Sequence, residues 1–247
     1  TTWNRDFPDR MATLRVGDSI SSPGAWGRAV RFGGVQFGTN FSTQPMLVTT
    51  PLLAAQGEAV VPSTVDVSVN GRRGASESVA PGPFSIDLVP VLTGAWQLHV
   101  VVTDALGRQQ VLTQPYYSGT ALLRPDLAEY SFELGSIRED YGYSSFAYGD
   151  MLGVASYRRG VTDTLTAGAR AEAQANGIYA LGADAAWQAG MAGIVNAQVA
   201  AGGDSSGMGF LAGLGLEHSG ERLSAFAQTQ YVSRTFVQSG MADLLYK

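Results

Sequence analysis

The stretch LTAGARAEAQANGIYALGADAAWQ, residues 165–188, decides how the chain folds. Leu165, Ala167, Ala169 and Ala171 share one parity, and Thr166, Gly168, Arg170 and Glu172 share the other. Leu181, Ala183, Ala185 and Trp187 repeat the apolar stripe, opposed by Gly182, Asp184, Ala186 and Gln188. Successive side chains of a strand point to opposite faces, so this alternation predicts two strands. Asn176-Gly177 between them is a strong hairpin signal, because both residues accept the positive φ of a tight turn. Alanine also favours helix, so an amphipathic helix is the competing reading. The alternation and the internal Asn-Gly argue against it.

The same pattern extends outward. Upstream, Tyr130, Phe132 and Leu134 alternate with Ser131, Glu133 and Gly135, and Met151, Gly153, Ala155 and Tyr157 follow. Downstream come Val195, Ala197 and Val199, then Phe210, Ala212, Leu214 and Leu216, then Leu223, Ala225, Ala227, Thr229 and Tyr231. The first fifty residues read likewise, with Thr13 and Arg15 against Ala12 and Leu14, and Val30 and Phe32 against Arg31 and Gly33. The spacing predicts an up-and-down meander of strands of about ten residues, the length a tilted strand needs to cross hydrocarbon. Ordinary strands average about five or six. The stripes are rich in Ala with Gly opposite, whereas a sandwich core needs bulky interdigitating side chains. A wide barrel needs only a lipid-compatible outer face and a polar or glycine-lined inner one.

Composition agrees. Charged residues make up 15% of the 247 and glycine appears 31 times, against about 25% and about 7% in ordinary soluble domains. Mean hydropathy is +0.03, near the balance expected of strands that alternate apolar-out and polar-in. Net charge is −5 and the only lysine is Lys247, so no basic face for nucleic acid is visible. There is no cysteine, which removes disulfide scaffolds, thiolate metal sites and cysteine nucleophiles together. The chain begins in mid-pattern, as an excerpt of something longer would.

The middle differs. Between about residues 57 and 115 the strands are shorter and bulkier. Val65, Val67 and Val69 lead to Asn70-Gly71, a second hairpin signal, and Trp96, Leu98, Val100 and Val102 form a dense stripe closed by Asp104-Ala105-Leu106-Gly107. This predicts a small β-sandwich between two runs of long strands. The expected organisation is barrel strands over 1–50, a compact domain over 51–118 and barrel strands over 119–247. A domain of about sixty residues is roughly 25–30 Å across, whereas a barrel of about eight strands is filled by its own side chains and plugged lumens occur near 22. About ten long strands are legible, too few to enclose the middle domain, so further strands are expected outside this stretch.

At this point the chain resembles a known family, the outer-membrane ushers of the chaperone–usher fimbrial pathway. The resemblance rests on Phe7-Pro8-Asp9, Leu14-Arg15-Val16-Gly17-Asp18-Ser19, Trp26-Gly27-Arg28 through Gly33-Gly34-Val35-Gln36, Val61-Pro62-Ser63-Thr64-Val65-Asp66-Val67, Pro81-Gly82-Pro83-Phe84, Asp104 to Arg108, Gln114-Pro115-Tyr116-Tyr117 and Leu122-Leu123-Arg124-Pro125. Ala80 stands where the family commonly has a second proline, and Ser68 where it commonly has an aromatic. The resemblance implies an all-β fold, a partial transmembrane β-barrel of antiparallel meander with an inserted β-sandwich plug. It implies a bacterial outer-membrane pore that passes folded pilus subunits delivered by a periplasmic chaperone, with outer-membrane lipid around it, no cofactor and no nucleic acid.

Site expectations follow. Arg170, Glu172, Asp184 and Gln188 are expected to face the lumen. Pro81, Gly82, Pro83 and Phe84 are expected to form a corner of the plug, with a gating role as the alternative. Arg72, Arg73 and Glu77, charged groups near a plug hairpin, are the expected latch to the wall. Enzyme chemistry is not expected. Gly17-Asp18-Ser19-Ile20 resembles a hydrolase nucleophile block, but Gly215 stands three residues before His218 where that family needs Asp. His99 and His218, isolated and without cysteine, do not make a metal site, and Gly213 and Gly215 lack the strand–turn–helix context of a dinucleotide fingerprint. The competing function is a secreted or surface-exposed adhesive β protein, which would fold in water without detergent.

Overall fold

The structure is a computed structural model that describes residues 1–69, 71–88, 93–220 and 222–241. Sixteen strands follow one another in it: β1 (Thr2–Phe7), β2 (Ala12–Ile20), β3 (Arg31–Thr39), β4 (Leu53–Ala59), β5 (Ser63–Val69), β6 (Arg72–Val79), β7 (Gly82–Leu88), β8 (Gly94–Asp104), β9 (Gln109–Ser118), β10 (Ala128–Arg138), β11 (Tyr148–Thr162), β12 (Leu165–Gln174), β13 (Tyr179–Gln188), β14 (Ile194–Asp204), β15 (Gly207–Ser219) and β16 (Ser224–Val232).

Ten of them form one antiparallel sheet in the order β1-β2-β3-β10-β11-β12-β13-β14-β15-β16. Every neighbour is the next strand of the sheet along the chain, joined by a turn or by a loop of up to ten residues, except at one seam. There β3 pairs directly with β10, Phe37 opposite Phe132 and Val35 opposite Leu134, although residues 40–127 lie between them. Those intervening residues fold as an insert of two small sheets, β4-β7 and β6-β5-β8-β9.

The turn chemistry fits the register. Gly177 adopts φ 92° and Ile178 donates its N–H to the Asn176 side chain, as the Asn-Gly signal requires. At the second such signal Asn70 lies outside the described residues, while Gly71 has φ 75° and Val69 pairs with Arg72 across the turn.

The two parts bury different things. The insert has a conventional core, in which Val65, Val67 and Val100 have no exposure and Ile86, Leu98 and Tyr116 close around them. Each such side chain contributes roughly 1.5–3 kcal/mol by leaving water. Among the described residues the large sheet has only smaller apolar clusters, such as Trp26 with Ala180, Ala200, Leu211 and Phe236. One of its faces carries Phe132, Leu134, Leu181, Trp187, Val199, Phe210 and Leu214, each at least half exposed. The other carries Gln36, Glu133, Thr166, Arg170 and Glu172, all buried. A sheet that shows apolar groups outward and hides polar ones inward is inverted for water and suited to hydrocarbon. Trp187 and Tyr231 are next to last in β13 and β16, more than half exposed on that outer face, whereas Tyr157, about half exposed, sits mid-strand opposite Ala169.

Candidate functional site: the inner face and the foot of the insert

On the inner face, β12 presents Thr166, Gly168, Arg170, Glu172 and Gln174, and β13 presents Ala180, Gly182, Asp184, Ala186 and Gln188. Arg170 and Glu172 form an ion pair of 2.8 Å with both side chains buried. Asp184 sits 3.8 Å from Arg158 of β11. Gln188 lies at the strand end near the insert, where its N–H binds the Thr164 carbonyl at 2.8 Å. The four expected lumen residues therefore share a face, but only Arg170 and Glu172 come together.

What buries that pair was not foreseen. The β2–β3 connection, residues 21–30, folds back over the inner face. Ser22 donates its N–H to Glu133 at 2.8 Å, and its carbonyl accepts from Arg170. Glu133 also accepts from Gln36 at 2.9 Å and Ser131 at 2.7 Å. Trp26 lies on Gly182, where a Cβ would come within 2.6 Å of the indole, and packs with Ala180, Ala200, Leu211 and Phe236. Phe236 belongs to residues 233–241, which also cross this face, and Ser239 donates its N–H to Glu172 at 2.6 Å. An inner layer thus covers the polar wall. The signal for it was present in Trp26-Gly27-Arg28, a large aromatic between turn residues, but its partner glycine is more than 150 positions away. Beside the layer lies a cavity of about 530 Å³, lined by Arg15, Gln36, Ser131, Arg158, Arg170 and Asp184 among others.

The insert touches the wall at its foot. Ala95 forms an isolated bridge with Gly220. The Tyr117 hydroxyl donates to the Glu217 carbonyl at 3.3 Å and accepts the Ser219 N–H at 3.2 Å. Burial raises the Tyr117 pKa above 10.0; the Ser219 N–H opposes this and the Glu217 carboxylate adds to it. Next along the chain, Leu122 packs with Tyr117, Ala186 and Ile194.

The expected latch residues lie elsewhere. Arg73 pairs with Asp66 of its own sheet at 2.9 Å, and Arg72 and Glu77 are exposed on β6, the edge strand of the insert. Pro81 precedes β7, whose first residues Gly82, Pro83 and Phe84 pair with Ala59, Glu58 and Gly57. Gly82 takes φ 124°, and Phe84 fills the space over Gly57.

No catalytic arrangement accompanies these groups among the described residues. Ser19 donates to the Gln36 amide at 2.7 Å, while His218 stacks near Tyr117 and faces the Ala192 carbonyl. His99 lies against Thr113. No group of three metal-ligating side chains occurs among the described residues.

A sheet apolar on the outside and interrupted at a single seam by a folded insert is what the comparisons with known proteins must match. The family described as outer membrane usher protein matches residues 1–202. The chain belongs to the outer membrane usher family. Usher FimC of Bordetella pertussis is 31% identical over 138 residues, 56% of this chain and 16% of that protein. Usher FaeD of Escherichia coli is 30% identical over 195 residues, 78% of this chain and 22% of that protein. The chain thus spans about a fifth or less of the length of these usher relatives. Among solved structures, the P pilus usher PapC translocation pore aligns over 96% of this chain and 48% of its own, with a TM-score of 0.53 at 21% identity. PapC in the E. coli tip assembly intermediate PapC-PapD-PapK-PapG aligns over 96% and 30%, with a TM-score of 0.67 at 21% identity. The ten-stranded sheet is accordingly part of an outer-membrane usher barrel.

Proposed function

We propose that this chain is the barrel–plug–barrel part of an usher that passes folded pilus subunits, delivered by a periplasmic chaperone, across the outer membrane, with the insert as its plug. The observation that carries the reading is the β3–β10 seam: the wall stays continuous by hydrogen bonding while residues 40–127 leave it, so the insert can move without opening the wall. On this reading the spans 1–50 and 119–247 supply the wall strands, with residues 40–50 and 119–127 as the connections, residues 51–118 are plug, and Pro81 to Phe84 act as a corner of the plug fold rather than as a gate. Asp184 and Gln188 line the passage directly, and Arg170 and Glu172 line it once the inner layer is displaced. The protein supplies a passage and a platform, with no bond-making chemistry of its own. The outward apolar face weighs against an adhesive protein that folds in water.

The test is made in cells carrying the full-length usher that contains this chain. Removing residues 51–118 is expected to admit a large antibiotic normally excluded by the outer membrane. An unchanged barrier, with the shortened usher present and heat-modifiable on gels, would refute the plug role. Loss of pili in cells lacking the usher, restored by the intact gene, tests the subunit cargo.

A further inference from the structure

The chain leaves and re-enters the wall at the β3–β10 seam, yet the insert rests on the wall five strands away. Neighbouring strands lie about 4.8 Å apart, so the foot sits roughly 24 Å along the rim from where the chain departs. Residues 119–127 cover that distance, and they are fastened at each strand they pass. At β11, Gly160 donates its N–H to the Leu127 carbonyl at 3.1 Å and bridges Pro125. Arg158 of the same strand donates to the Ala121 carbonyl. At β12, the Leu123 N–H donates to Thr166 Oγ1 at 2.8 Å, a buried bond. At β13 and β14, Leu122 packs on Ala186 and Ile194, and Gly119 lies flush against the Ile194 side chain. At β15, Tyr117 closes the row on the backbone of Glu217 and Ser219. The incoming connection lies alongside, with the Arg124 N–H on the Thr49 carbonyl at 2.7 Å.

We propose that residues 119–127 are a peelable strap, buttoned strand by strand along the inner rim from β11 to β15, and that Tyr117 is the terminal button whose release starts displacement of the insert. This rests on the plug reading and deepens it by naming what holds the plug and how it lets go. Each fastening is one or two hydrogen bonds or a local apolar contact, so the row opens in steps from the Tyr117 end. Once peeled, nine residues reach about 30 Å when extended, enough to carry a domain of this size clear of its seat. Most buttons are backbone, hydroxyl or apolar groups, and the one charged button, Arg158, keeps Asp184 beside it when it lets go.

This chain has no cysteine, and any cysteine elsewhere in the full-length usher is replaced by serine before stapling. A Cβ at Gly220 would lie 3.8 Å from the Ala95 Cβ, the usual separation across a disulfide. In the full-length usher, Ala95→Cys with Gly220→Cys is expected to abolish openings in planar bilayers when oxidised and to regain the parent's opening frequency when reduced. Tyr117→Phe and Thr166→Val each remove one button and are expected to raise the opening frequency about threefold to tenfold, the shift that loss of one ordinary hydrogen bond brings. An oxidised staple that opens as often as the reduced protein would overturn the strap, as would two button variants indistinguishable from the parent. Removal of residues 51–118 runs beside them. If it opens the pore while staple and buttons have no effect, the strap fails and the plug stands; if it opens nothing, the plug reading itself fails.

Discussion

Arg170 and Glu172 sit two residues apart on the inner face of β12, paired at 2.8 Å, and neither side chain reaches solvent. Each holds a different distant segment: Arg170 the carbonyl of Ser22, Glu172 the N–H of Ser239. The pair joins the wall to the two segments that cover it. Removing one partner strands the other's charge out of water, a loss of about 3–5 kcal/mol for buried pairs. Glu172→Ala should therefore lower the urea midpoint of the full-length protein in detergent far more than Glu129→Ala on β10. Equal midpoints would mean that the inner layer is not fastened there.

Gly182 makes room for Trp26, since a Cβ in its place would come within 2.6 Å of the indole. Because a side chain at position 182 would also meet the Val199 carbonyl of β14 at 2.6 Å, the change is made on the other partner: Trp26→Ala should free residues 21–30 from the wall while leaving the β-sheet intact. The readout is trypsin cleavage after Arg28, slow in the parent and at least several-fold faster in the variant. Unchanged cleavage would place Trp26 elsewhere.

The outer face predicts a contrast between neighbours. Leu181 is 63% exposed and points away from the inner layer. Leu181→Arg puts a charge into hydrocarbon, at a cost of about 2–4 kcal/mol near the bilayer midplane. Folding yield into lipid vesicles should drop for Leu181→Arg and hold for Asp184→Asn on the inner face. Equal yields would contradict the assignment of faces.

The insert obeys ordinary core rules. Leu98 is 2% exposed and surrounded by Val65, Val67 and Val100. Leu98→Ala should destabilise the insert by about 2–5 kcal/mol, the range for buried leucines. Limited proteolysis within residues 51–118 of the membrane-embedded protein measures it, and fragments from the wall should not accumulate alongside.

Tyr117 brings a pH dependence. Its pKa is raised where the insert is seated, chiefly by burial. The seated state therefore keeps its proton longer than the released state, whose phenol titrates near pH 10. Seating is unaffected below that pH and weakens as pH rises from about 10 through the seated pKa. Glu217 and His218 face the same ring, and a phenolate next to Glu217 adds repulsion. Opening frequency should climb above pH 10 in the parent and stay flat in Tyr117→Phe, whose baseline is already higher.

Much of this was legible in the parity of single residues. Ala169 and Arg170 differ by one position and were assigned opposite faces from alternation alone, as the pairing of β12 with β13 bears out. The change from Ala and Gly to Val, Trp and Leu around residues 65–102 marked where a packed core begins. Contacts across long spans were not legible. Nothing local to Arg170 tells that Ser22, 148 residues earlier, covers it. Arg72, Arg73 and Glu77 stood out because charge is visible in a sequence, and Arg73 pairs within its own sheet. A phenol bonding to backbone 100 and 102 residues away carries no such mark.

The central claim is that the insert closes a passage walled by the ten-stranded sheet and the strands that complete it. Ion conductance of the full-length usher in planar bilayers, with and without residues 51–118, tests it most directly. The account predicts a mostly closed parent and a large, steadily open pore after the deletion. Equal conductance of the two, both folded and inserted, would contradict it.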